Sequence, residues 1–323
     1  METNHLSTAR LAHFPIAFFA MVMGLSGLAI VWQKAQLLYH LTLRINVLIL
    51  GLAVLVFSVL SVAYLVKLIH HRAMVLQEWQ HPIKLSFFPT ISISLLLLAV
   101  GFLELQPNIA RVLWLVGATL HLGFTLAVVT MWMHQTHYQI PHLLPVWFIP
   151  AVGNVIVPLA GVPLGYLELS WFFFSIGLVF WSVLMTLAFY RLVFHPSIAP
   201  RLMPSLFILI APPAVGFLAY VRLNHGELDN FARILFFAGL FITLLLLTQA
   251  KRFIILPFTL SAWAYSFPLA AMTTATLLMF EKTHIQGYSW LGVGLLILLT
   301  GIVSALLFKT LQAAWQGRIC VPE

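Results

Sequence analysis

Ten times along this chain a run of about 20 residues passes with few or no charges, and short polar stretches separate the runs. That is the length an α-helix needs to cross the hydrocarbon core of a bilayer. The runs fall at about 11–31, 46–66, 85–103, 112–133, 143–160, 169–190, 202–221, 231–250, 253–280 and 288–308. A soluble domain carries roughly a quarter charged residues to coat its surface, whereas here 7% are charged and 62% hydrophobic. Lipid asks for no such coat. The expected fold is an all-α integral membrane protein, one transmembrane domain over residues 1–323 with ten spans and no removable leader before the first.

Lys and Arg set the expected orientation, because cytoplasmic loops carry the excess. Ten of them fall on the side of the N-terminus: Arg10, Lys67, Arg72, Lys84, Arg191, Arg201, Lys251, Arg252, Lys309 and Arg318. Six fall on the other side, together with Glu104, Glu168, Glu227, Asp229 and Glu281. Both termini are therefore expected in the cytoplasm. The +8 net charge is a topological signal of this kind and not a nucleic-acid footprint, since the cations are scattered among loops.

The prolines divide the spans into two classes. No even-numbered span has one in its interior, and Pro107 only precedes the fourth, where it suits a helix start. Every odd-numbered span is interrupted, and Pro15, Pro89, Pro150, Pro212, Pro213 and Pro268 are the expected kinks. A proline inside a helix removes a backbone hydrogen bond at about 3 kcal/mol or more. In lipid the freed carbonyl has no water, so such helices must face protein or a wet cavity. Odd helices are therefore expected inside and even ones outside. A loose likeness around the breaks, Ser86-Phe87-Phe88-Pro89 beside Trp147-Phe148-Ile149-Pro150 and Ser266-Phe267-Pro268, suggests five helical hairpins around a quasi-fivefold central pore. The bland alternative is that the broken helices pack shut as a core.

No Asp, Glu, Lys or Arg stands at the centre of an odd span, which argues against an ion-coupled carrier. The odd spans instead offer hydroxyls and amides among phenylalanines. Candidate pore-lining residues are Phe14, Phe18, Ser92, Ser94, Phe148, Asn154, Phe207, Thr259, Ser266 and Thr273, with Ser26, Ser205, Ser261 and Thr274 in the same set. Such donors, with the positive ends of broken helices, could solvate a small inorganic or organic anion weakly. Each hydroxyl taken singly is as readily explained by a bond to its own helix backbone. Of thirteen histidines most lie at span ends, and His121 alone sits well inside a span. His134 and His137 lack a third or fourth ligand nearby, so neither metal nor haem is expected. No cofactor and no enzyme activity is expected, because no phosphate-cradling loop or catalytic domain appears.

The residues His13-Phe14-Pro15-Ile16-Ala17-Phe18-Phe19-Ala20-Met21-Val22-Met23-Gly24 and Trp263-Ala264-Tyr265-Ser266-Phe267-Pro268 resemble motifs of the bacterial TehA-type tellurite-resistance membrane proteins. These are related to the plant slow anion channels and to fungal malate transporters. The resemblance covers the whole chain. It implies selective anion conduction, a homotrimer with one pore per protomer, a bacterial inner membrane, and a phenylalanine of the ninth helix plugging each pore. The resemblance also leads one to expect that aromatic immediately before Trp263, where this chain has Ala262. Ala262 is thus the expected gate position with its plug lost, Phe258 is an alternative plug, and Pro268 would bend the helix to aim position 262 at the axis. A small packing residue is the competing account of Ala262. The alternative function is a secondary carrier for dicarboxylates or tellurite.

Overall fold

The computed structural model describes residues 10–320, and among them every regular element is helical. Helix α1 (Ile16–Leu38) leads to α2 (Ile45–His70), and after a short helix Arg72–Gln80 come α3 (Lys84–Phe102) and α4 (Pro107–His134). A shorter apolar stretch, α5 (Pro145–Gly161), precedes α6 (Leu167–Phe194), α7 (Pro200–Leu223) and α8 (Asn230–Leu247). Then α9 joins a 3₁₀ turn, Leu260–Tyr265, to the α-helix Ser266–Thr283, and α10 (Gln286–Trp315) follows. All but α5 and α9 are long and apolar enough to cross a membrane. The chain is a multi-pass membrane protein.

The ninth run departs from expectation. It is not one helix from about residue 253, because Ala250–Ile254 ends before Pro257 and the helical backbone resumes only at Leu260. A residue before proline is disfavoured in the α region, so the helix stops ahead of Pro257, and Thr259 is extended before Leu260.

Burial separates the helices sharply. The apolar windows of α1, α3 and α7 are 72%, 83% and 72% buried, whereas those of α2, α4, α6, α8 and α10 lie between 17% and 39%. Leu48, Val62, Phe241, Ile297 and Phe308 stand outward on the second set, which is where lipid must lie. The buried segments contact one another in the closed order α1, α3, α5, α7, α9 and back to α1, and each exposed helix packs on the buried segment before it. Contacts are close where glycine allows: a Cβ on Gly24 would fall on the Ser266 side chain and 3.1 Å from the Trp263 ring, so α1 and α9 nearly touch.

Two polar features fix the ends. Lys67, in the last turn of α2, is 1% exposed; its Nζ lies 2.9 Å from Glu78 Oε2 of Arg72–Gln80 and donates to the Phe14 carbonyl at 2.7 Å. The Tyr64 hydroxyl donates to the same Glu78 oxygen at 2.9 Å. One cluster thus ties the short helix to α2 and to the entry of α1. At the start of α8, Asp229 accepts a hydrogen bond from the Ala232 amide at 2.9 Å, as an N-cap should. That bond, and the Tyr220 hydroxyl after it, hold the Asp229 carboxyl below the usual range. A depressed folded-state pKa contributes stability that is present above the unfolded value and lost as pH falls through the folded one. The protection factor of the Ala232 amide, its exchange corrected for the intrinsic pH dependence, is therefore expected to fall on acidification, and Asp229→Ala should make it low and pH-insensitive.

Candidate functional site: a cavity between five broken helices

Each buried segment begins as a 3₁₀ helix and becomes α-helical part way: at Phe19 in α1, Thr90 in α3, Phe148 in α5, Ala211 in α7 and Ser266 in α9. The prolines mark these junctions. Pro15 precedes the first turn and Pro89 is the residue before Thr90. Pro150, Pro212, Pro213 and Pro268 lie within the first three residues of their α-helices. There a proline removes no needed donor. The expected kinks are thus starting points, and Pro268 begins the α-helical part of α9 instead of bending it beyond position 262.

Side chains of the exposed helix α4 reach carbonyls of the broken segment α5. From α4, Trp114 Nε1 donates to the Val157 carbonyl at 2.9 Å, and Thr125 Oγ1 lies 2.7 Å from the Pro150 carbonyl. Thr125→Val should leave that carbonyl unpaired and lower stability by about 1–3 kcal/mol, read as a lower unfolding midpoint in detergent.

Between the five junctions lies a cavity of about 90 Å³, room for about three waters. Among the described residues, only α1, α3, α5, α7 and α9 line it. Its wall includes Ala17 and Ala20, then Phe87 and Thr90, then Phe148 and Gly153, then Ser205 and Pro212, and finally Trp263, Ala264, Phe267 and Pro268. No charged residue lines it among those described. The junction residues Thr90, Phe148 and Ala211 are themselves in the wall, so the positive ends of the α-helical dipoles gather around this space. Its hydroxyls are engaged elsewhere: Thr90 donates to the Phe87 carbonyl, and Ser205 to that of Leu202 at 2.6 Å. They turn oxygen lone pairs, not hydrogens, to a guest.

Of the expected lining residues Phe148, Ser205 and Ser261 are in the wall. Phe14 and Phe18 pack on each other with ring centroids 4.8 Å apart. Ser92 pairs with His121 Nδ1 at 2.9 Å, Ser94 with the Thr90 carbonyl at 2.7 Å, and Asn154 Nδ2 with Thr125 Oγ1 at 3.1 Å. Thr259 pairs with Ser261, Ser266 donates to the Trp263 carbonyl, and Thr273 to that of Leu269. Helix backbone and neighbouring helices claimed these hydroxyls. Phe207 packs on Phe253 and Tyr265, away from the centre.

Position 262 also lies elsewhere. Ala262 and Phe258 line a separate groove toward α8 and α10, with Tyr265 and Leu269. The central face of α9 carries Leu260, Trp263, Ala264, Phe267 and Pro268. Trp263 is anchored by its Nε1 to Thr310 Oγ1 at 3.0 Å, while Phe267, 9% exposed, presents its ring to the cavity. No spacing in the sequence singled out Phe267, because the change from 3₁₀ to α at Ser266 breaks the period between it and Leu260.

A family model described as voltage-dependent anion channel, SLAC1, matches residues 13–311. The chain is 29% identical over 320 residues to the S-type anion channel SLAH2 of Arabidopsis thaliana, covering 97% of this chain and 62% of that one. It is 27% identical over 295 residues to a tellurite resistance protein TehA homolog of Haemophilus influenzae, covering 88% and 89%. An uncharacterized transporter of Methanocaldococcus jannaschii is 24% identical over 330 residues, covering 95% and 96%. The chain spans 62% and 50% of the two Arabidopsis channels SLAH2 and SLAH3.

Proposed function

Since the chain belongs to the SLAC1 voltage-dependent anion channel family, we propose that it is a passive anion-selective channel whose pathway is the central cavity. In this reading all ten segments span the membrane as five hairpins, and α1, α3, α5, α7 and α9 surround a quasi-fivefold pore. The observation that carries it is the cavity that, among the described residues, is uncharged and lined by those five segments alone, at the level where their α-helices begin. A coupled carrier needs a titratable or ion-coordinating site near mid-membrane, and the cavity wall offers none among the described residues. Helix ends supply a diffuse positive potential that attracts an anion without trapping it. In this reading the ring of Phe267, in the cavity wall, acts as the plug. The bacterial inner membrane, the homotrimer and the two cytoplasmic termini are part of the same proposal, from the resemblance and the cation count.

Purified protein in planar bilayers, with a chloride gradient and an impermeant cation, tests the reading. The expected reversal potential follows the anion gradient. Saturable dicarboxylate uptake without current would replace the channel by the carrier.

A further inference from the structure

The groove behind α9 has about 390 Å³ of space, far more than the central cavity, and nothing in the channel reading uses it. Its walls come from α7, α8, the Ala250–Ile254 helix, α9 and α10, and they are apolar except for Tyr265 and Lys309. Ala262 is a buried part of its wall, and a larger side chain there would take up the space. On the outer side Leu298 and Ala305 of α10 line it and are exposed, so the groove opens toward lipid. At its rim stands Lys309, also exposed. The short helix that walls the same end carries Lys251 and Arg252, both exposed, and no described carboxylate lines the groove.

We infer that this groove is a binding site for one anionic glycerophospholipid, its acyl chain lying along α9 and its phosphate at Lys309. The shape and charge fit together. An apolar recess between membrane helices gains contacts when a hydrocarbon chain fills it. Cations at the end of such a recess select a negative headgroup over a zwitterionic one. Lys309 lies one helical turn beyond Ala305, so one extended lipid meets both. The inference goes beyond anion conduction, and its readout is bound lipid instead of current.

Native mass spectrometry of the full-length protein in detergent, titrated with phosphatidylglycerol and phosphatidylcholine of identical chains, is the test. About one phosphatidylglycerol per chain should be retained, and phosphatidylcholine far more weakly. Lys309→Gln should weaken phosphatidylglycerol about fivefold, the worth of one surface cation. Ala262→Phe and Ala305→Trp fill the groove from opposite walls, and each should weaken retention about tenfold or more by displacing methylenes. Since Lys309 and Ala305 are exposed, those variants do not depend on the core tolerating a new ring. Equal retention of the two lipids, or retention indifferent to both filling variants, overturns the site. So does a photoreactive group at Ile302 that cross-links to a second copy of the chain instead of to lipid.

Discussion

Phe267→Ala is expected to raise anion current about a thousandfold, the factor that follows if the ring presents a barrier of about 4 kcal/mol. Phe267 lies in the wall of a cavity of about 90 Å³, where no charge or free hydroxyl hydrogen of the described residues compensates a dehydrated anion. An apolar constriction of this kind blocks by excluding water, and truncation to a methyl removes it. The control is Ala262→Phe. Its ring would enter the groove toward α8 and α10, so the current should stay near that of the unaltered protein. Bilayer recording of the three proteins side by side decides the matter. Block by Ala262→Phe, with no gain from Phe267→Ala, would return the gate to position 262.

The second large effect concerns stability. Lys67→Met should destabilise the fold by about 3–5 kcal/mol, because it leaves the buried Glu78 carboxylate without its cation. Glu78 is 8% exposed and would keep only the Tyr64 hydroxyl at 2.9 Å. The Phe14 carbonyl at the entry of α1 would lose its donor as well. Replacing both partners, Lys67→Met with Glu78→Gln, should recover a large part of the loss, since removing a whole buried pair costs far less than breaking it. Unfolding midpoints in detergent measure both. A single variant within about 1 kcal/mol of the unaltered protein would mean that water reaches Glu78.

Lys67 also shows a limit of reading charge from sequence. Counted as a loop cation, it is in fact buried, with its charge directed to Glu78 and Phe14. The short helix Arg72–Gln80 that supplies Glu78 was not expected, because its mixed residues show no long apolar run. Ser92 and Asn154 illustrate the same limit for hydroxyls and amides. Their spans were correctly placed among the buried ones, yet their side chains turn to α4 and not to the centre.

Sequence alone determined the solvent and the inside-outside division of the long helices. Both follow from one-dimensional quantities: the length of uncharged runs, and whether a proline interrupts them. Tertiary structure decided which face of each broken helix meets the cavity. The 3₁₀ to α transitions change the turn per residue within a span, so a face cannot be counted through the junction from either end. On α9 that phase puts Phe267 at the centre and Ala262 at the lipid-side groove, five residues and a different neighbour apart.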